Sequence, residues 1–332
     1  MSGADTDLGQ FLEVLTKLMG RHVVPGEPLG TPDRADRLEQ ALAEADVLGL
    51  AGETYEMENA LRWLAEVVRT LAHHTPSIAL VLAARYTAHR ALRSVGGEGD
   101  SASAAGATAG LVAHLDIDDP TSVDAARSTV PCQFDPEVTL LLDAGGAGGV
   151  FVGRDSTAVT SSKRTGLRDA RLCTVRVVGP PIRTLRPAAA TAAVSDLAVL
   201  TASASLGVAE AAVSASGRYA FERRQFGSNL LSFAGIRAML VEMQLRVSAV
   251  SALLDRALDD GTVTSCVELS ATAGRVAVDV ALDAIQVHGG YGYIDEYPVA
   301  GLLRDALSLR ARNVSRRSSV SRLAVERFGP VG

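Results

Sequence analysis

Two short stretches carry residue types that could handle a phosphorylated ligand. Arg223-Arg224-Gln225-Phe226-Gly227 places a guanidinium pair beside an aromatic ring and a glycine. An arginine fork at a helix end suits the paired oxygens of a pyrophosphate. Further along comes Gln286-Val287-His288-Gly289-Gly290-Tyr291-Gly292-Tyr293, then Glu296-Tyr297-Pro298 and Arg304-Asp305. Adjacent glycines remove every side chain where a ligand or a neighbouring backbone must come close. Taken singly, each stretch has a plain structural reading, a solvated arginine pair or a helix stop. Arg304 and Asp305 read as an adjacent ion pair fixing a turn or helix start, and His288 as a helix-end or interface residue. His73-His74 reads as a solvated helix end. The six histidines and the three cysteines, Cys132, Cys173 and Cys266, show no ligand spacing, so no metal site is expected.

The elements that must position these stretches follow from apolar spacing. Leu8, Phe11, Leu12 and Leu15 repeat at helical intervals, as do Leu61, Leu64, Val68 and Leu71. A further helix is expected over about 34–48, and another from Thr75-Pro76-Ser77 to near Gly96-Gly97. Between about Leu111 and Leu185 the pattern changes to short β-branched runs, Val138 to Leu142, Gly149 to Val152 and Cys173 to Val178. Five to seven short strands are expected there. Gly145-Gly146-Ala147-Gly148-Gly149 reads as a hairpin loop. After Pro187 helical periodicity returns, with a helix over about 189–222, a stripe from Ile236 to Leu254, and a third helix stopping at Gly289-Gly290. Short connections between long amphipathic helices predict an antiparallel bundle.

Composition agrees with helix-on-helix packing: 47% of residues are hydrophobic but only 4% aromatic. A net charge of −6 argues against broad binding to nucleic acid. The apolar run from Ile78 to Ala84 is too short to span a bilayer, and the start shows no secretory pattern. A cytoplasmic protein without a membrane partner is the expectation.

Together, the two stretches, the following Tyr297-Pro298 and Arg304-Asp305, and the helix–strand–helix order resemble the acyl-CoA dehydrogenase family. The resemblance is specific over about residues 190–330 and rests on element order before that. It implies an α+β, mostly α fold with three parts. These are an N-terminal helical domain over 1–108, a small middle β domain over 109–187, and a C-terminal antiparallel four-helix bundle over 188–332. Family members set Arg-x-x-Phe-Gly against the pyrophosphate and adenosine of FAD, and complete that end with the Gln and Gly-Gly segment of the partner protomer. Carried onto this chain, Arg223, Phe226, Gly227, Gln286, Gly289 and Gly290 become the expected FAD contacts.

The chemistry implied needs a carboxylate beside the substrate α carbon, to take a proton while a β hydride moves to flavin N5. Asn313, in Asn313-Val314-Ser315, holds the common position of that glutamate. Its amide accepts no proton near neutral pH, although its backbone N–H could bond a thioester carbonyl. The alternative position on the first bundle helix, ten residues before Gly207, is Leu197, followed by Ala198 where an arginine is usual. Asp196 and Glu296 are the remaining candidates, and Asp196 is turned about 100° from the required face. The middle-domain Thr-Glu-Pro signature is absent, Asp116 to Pro120 being a remnant at most, and the only tryptophan, Trp63, lies in the N-terminal region.

The resulting expectation is a subunit that contributes an FAD site to the oxidation of an acyl-CoA or acyl-carrier-protein thioester. Its base would come from a related subunit in a homo- or heterotetramer, with an electron-transfer flavoprotein as a further partner. Two rivals stand beside it. One is a divergent enzyme of a specialised pathway, using Asp196 or Glu296 on a carrier-bound substrate. The other is a flavin-free structural or cyclase-like protein. The arginines at 310, 312, 316, 317 and 322 read as a solvated helix face.

Overall fold

Proline opens four of the helices that frame this molecule, at Pro32, Pro76, Pro187 and Pro298. The first turn of a helix leaves its N–H groups without intrahelical partners, so proline loses nothing there and presets the backbone. The computed structural model describes residues 3–23, 28–95, 107–114, 126–132, 136–143, 148–161, 165–312, 323–325 and 327–329. Helices α1 (Gly3–His22), α2 (Pro32–Glu44), α3 (Leu50–Glu53), α4 (Ala60–His74) and α5 (Pro76–Ser94) come first. Strands β1 (Ala107–His114), β2 (Ala126–Cys132), β3 (Val138–Asp143), β4 (Gly149–Gly153), β5 (Thr157–Ser161), β6 (Arg171–Val177) and β7 (Arg183–Leu185) follow. Then come α6 (Pro187–Glu222), a hairpin of β8 (Arg224–Gln225) and β9 (Ser228–Asn229), α7 (Ala234–Asp260), α8 (Val263–His288) and α9 (Pro298–Arg312).

The seven strands form one sheet in the order β5-β6-β2-β1-β3-β4-β7. Only the β1–β3 pair runs parallel; the other five pairings are antiparallel. β3 and β4 pair as a hairpin, with Val138 opposite Gly153 and Leu142 opposite Gly149. One face of the sheet, through Ala109, Leu140, Leu142 and Phe151, packs on Ala88 and Leu92 of α5 and Val194 and Leu197 of α6. The other face gathers Leu141, Val152, Cys173, Val175 and Val177.

Helix α6 runs through the middle of everything else. At 36 residues it is about 54 Å long, and it contacts α4, α5, α7, α8, α9 and the sheet. Its length and hydropathy would suffice to cross a bilayer, yet 83% of that apolar window is buried inside the protein. It is a core helix. Thr201, Ser203 and Ser205 are buried in it, and each hydroxyl donates to the carbonyl four residues back, at 2.6, 3.0 and 3.1 Å. That local bonding satisfies polar atoms that tertiary packing leaves alone.

The small side chains of α6 let its neighbours approach. A Cβ built on Gly207 would lie 2.2 Å from the Arg69 carbonyl oxygen of α4. Beside this contact the Arg69 Nε donates to both Glu210 carboxylate oxygens at 3.1 Å. Gly217, ten residues on, has no atom within 4 Å of an added Cβ. Gly207→Ala should therefore destabilise by about 1–3 kcal/mol, because a backbone atom must move. Gly217→Ala should stabilise by about 0.5–1 kcal/mol through helix propensity alone. Paired thermal or urea melts check both signs.

Candidate functional site

Helix α6 ends at the first arginine stretch. Arg223 caps it, its N–H bonded to the Tyr219 carbonyl at 2.8 Å and its own carbonyl accepting from Leu230 N at 2.9 Å. The chain then turns tightly through the β8–β9 hairpin. Phe226 at its tip has φ +50°, Gly227 has φ +81°, and the Phe226 side chain is 94% exposed. A bulky residue held in the left-handed region and presented to solvent is a strained display of an aromatic ring.

Helix α8 brings the second stretch to the same end. Gly289 stops it with φ +59°, and residues Gly289–Tyr293 form a short 3-10 turn. Gln286, Gly289 and Gly290 are exposed. The two stretches meet through rings. The Arg223 guanidinium carbon lies 4.8 Å from the centroid of the Tyr291 ring. Tyr291 stands edge-on to Tyr297 at 5.6 Å, Tyr297 to Tyr219 at 5.4 Å, and Tyr219 stacks on His288 at 4.1 Å. The Tyr219 hydroxyl also donates to the His288 carbonyl at 3.3 Å. His288 is buried, its Nδ1 2.8 Å from the Ala284 carbonyl, and burial lowers its pKa. It sits at the helix end, where burial favours its neutral form. The tyrosines were not singled out in the sequence, although Tyr219 sits one turn before Arg223 and so on the same face.

The candidate bases fall elsewhere. Asn313 lies outside the described residues, as do Asp116 to Pro120 and the arginines at 316, 317 and 322. Leu197 is buried among the apolar residues between α6 and the sheet. Asp196, its neighbour, meets Arg90 Nε of α5 at 2.8 Å. Burial raises the Asp196 pKa and Arg90 opposes the rise. A carboxylate so engaged ties α5 to α6 rather than waiting for a substrate proton. Asp196 and Arg223 are also separated by about 40 Å along the helix. Glu296 is exposed on the loop before α9, at the Arg223 end.

Two readings from sequence are corrected. Arg304 and Asp305 do not pair with each other: Arg304 meets Asp295 at 3.0 Å, while Asp305 accepts from Leu167 N at 2.5 Å. Adjacent residues on a helix point about 100° apart, so each serves a different neighbour. His73 and His74 are half-buried, not solvated, and burial lowers both pKa values, that of His74 to about 4. The α4–α5 corner is pressed against the loop before β6 and against α9. There His74, Thr75, Ser77, Asp169, Arg304 and Asp305 line a polar cavity of about 20 Å³.

With this geometry in place, known proteins place the chain. Residues 188–312 match the family model described as acyl-CoA dehydrogenase, C-terminal domain. An acyl-CoA dehydrogenase of Bacillus subtilis is 40% identical over 112 residues, covering 32% of this chain and 29% of that protein. The caffeyl-CoA reductase-Etf complex subunit CarC of Acetobacterium woodii is 37% identical over 109 residues, covering 31% and 29%. These matches thus span under a third of the curated relatives' length. In overall fold, the solved structure of a steroid ACAD superposes with a TM-score of 0.81 at 19% identity, covering 96% of this chain and 97% of that one. Residues 188–312 are thus similar to the acyl-CoA dehydrogenase C-terminal domain, and the fold of the chain is that of the solved acyl-CoA dehydrogenases.

The buried Asp305 yields a pH prediction. Burial, with Asp169 nearby, raises its pKa from 3.8 to about 6, against the bond from Leu167 N and the charges of Arg168 and Arg304. A carboxyl that holds its proton more tightly when folded adds stability below its unfolded pKa, and that stability is lost as pH rises through about 6. Asp305→Asn keeps an acceptor for Leu167 N–H and removes the titration. It should gain about 1–3 kcal/mol over the native chain at pH 8. At pH 4 the two should melt alike, and a stability difference independent of pH would refute the assignment.

Proposed function

We propose that the chain is a flavoprotein subunit of an acyl-CoA dehydrogenase-type assembly, contributing one side of an FAD site to the α,β-dehydrogenation of an acyl thioester. The observation that carries this reading is open space. Added Cβ atoms on Gly227, Gly289 and Gly290 meet nothing within 4 Å; positive φ calls for glycine at the first two, but neither packing nor backbone calls for it at Gly290. A ligand from outside the protomer would. Phe226 and Gln286 are exposed around the same opening, and Arg223 offers it a guanidinium.

The residues present fit the dinucleotide. Arg223 would meet the pyrophosphate charge, and Phe226, Gly227, Gln286, Gly289 and Gly290 would receive the adenosine end. Bound FAD supplies the hydride acceptor. Around this end the apolar surface continues through Phe221, Val241, Leu245, Leu282 and Tyr293, all at least half exposed. An exposed apolar patch of this kind fits a protomer contact, so the site would be completed by a second, related subunit.

That subunit would also supply the base. Leu197 has no proton-accepting atom, Asp196 is held by Arg90, and Glu296 stands at the dinucleotide end. The remaining contribution of this chain to the reaction is positional: it binds, orients and covers. Electrons would leave through an electron-transfer flavoprotein, as the name of the CarC complex suggests for that relative. The acyl group would arrive as a thioester of CoA or of a carrier protein.

Expression of the chain alone, of a related acyl-CoA dehydrogenase subunit alone, and of both together tests the reading. The pair should copurify with bound flavin and oxidise an acyl thioester, whereas the chain alone should not. A colourless pair, or full activity from the chain by itself, would overturn it.

A further inference from the structure

Arg223 differs from the arginines that cross-link the helices of this fold in what holds it. Arg62, Arg69, Arg90, Arg246 and Arg304 each spend N–H donors on carboxylates. Among the described residues no carboxylate pairs with Arg223; its guanidinium is held by the Tyr291 ring. The difference has a chemical consequence. A carboxylate partner occupies the donor fork in the guanidinium plane, whereas a ring attracts the cation through its π system and takes no conventional N–H donor. An arginine held that way keeps its fork for a phosphate.

We infer that Tyr291 is a positioning residue, holding Arg223 for the pyrophosphate of a dinucleotide. This rests on the FAD reading above. The support is a closed circuit joining two distant parts of the chain. Tyr291 is braced edge-on by Tyr297, Tyr297 by Tyr219, and the Tyr219 carbonyl accepts the Arg223 backbone N–H in the last turn of α6. Tyr219 is itself stacked on buried His288, the residue before the Gly289 stop. Any ligand bridging Arg223 and Gly289 therefore meets two groups whose separation is set by rings.

The circuit also assigns different roles to ring and hydroxyl. The Tyr291 contact needs only the π face, so phenylalanine should replace it and leucine should not. A guanidinium without its platform must be ordered by the ligand at each binding event, which weakens affinity without unfolding the bundle. The Tyr291 side chain is 41% exposed, so its loss leaves little cavity.

Titration of FAD into the purified protein, copurified with its related subunit where the two associate, tests the proposal by flavin fluorescence. Tyr291→Leu should weaken FAD binding by about tenfold, with a thermal midpoint close to that of the native chain. Tyr291→Phe should bind within about twofold of native. In an Arg223→Ala background, Tyr291→Leu should have no further effect, since the arginine it positions is gone. Should Arg223→Ala weaken binding while Tyr291→Leu does not, or should the two losses simply add, the positioning role is refuted and the FAD site stands. If the native protein shows no saturable FAD binding, the site reading falls and this inference falls with it.

Discussion

The close contact of α6 with α4 at Gly207 is the constraint on which the rest of the structure depends. A helix can sit at the centre of a bundle only if its neighbours reach it from several sides at once, and that demands small side chains. Alanine, serine and glycine supply them along α6, and the buried hydroxyls bond back to the helix itself. Because the helix is enclosed, its two ends are placed rigidly. The first third, with Val194 and Leu197, lies under the sheet, and the last turn delivers Tyr219 and Arg223 to His288 and Tyr291, on either side of the Gly289 stop.

Rigidity at that end is expressed through aromatic contact rather than ion pairing. Only 4% of the chain is aromatic, yet three of its tyrosines and a histidine converge between α6, α8 and α9. The tyrosine rings fix direction without consuming the donors of the guanidinium beside them. The same end exposes Phe226 in a strained backbone conformation and leaves the space above three glycines open. In the proposed FAD reading, such an arrangement belongs to a surface completed by another molecule.

The opposite end of α6 is closed in a different sense. Asp196 is paired with Arg90, and Leu197 is packed against the sheet, so the helix face that could have carried a base carries a structural ion pair and a core leucine instead. Breaking a buried ion pair leaves an uncompensated charge, so Asp196 is held in place by the fold's own stability. In the proposed reading, binding and proton abstraction are thus separable: this chain contributes to the first and a partner supplies the second.

Local pattern determined a good deal. The helix–strand–helix order, the stop of α8 at Gly289 and the β3–β4 hairpin were legible because apolar period, proline and glycine act within a few residues. The two motif stretches were legible for the same reason, as was their likeness to a known family. Other features were decided only by tertiary contact. Strand β1 begins Ala107-Thr108-Ala109-Gly110, a run with little β preference, and becomes a strand by pairing with β2 and β3. The burial of His73 and His74, the separate partners of Arg304 and Asp305, and the ring under Arg223 depend on segments far apart in the chain. Spacing along a sequence reports which side chains share a face; which distant group then meets that face is set by packing, and packing is not local.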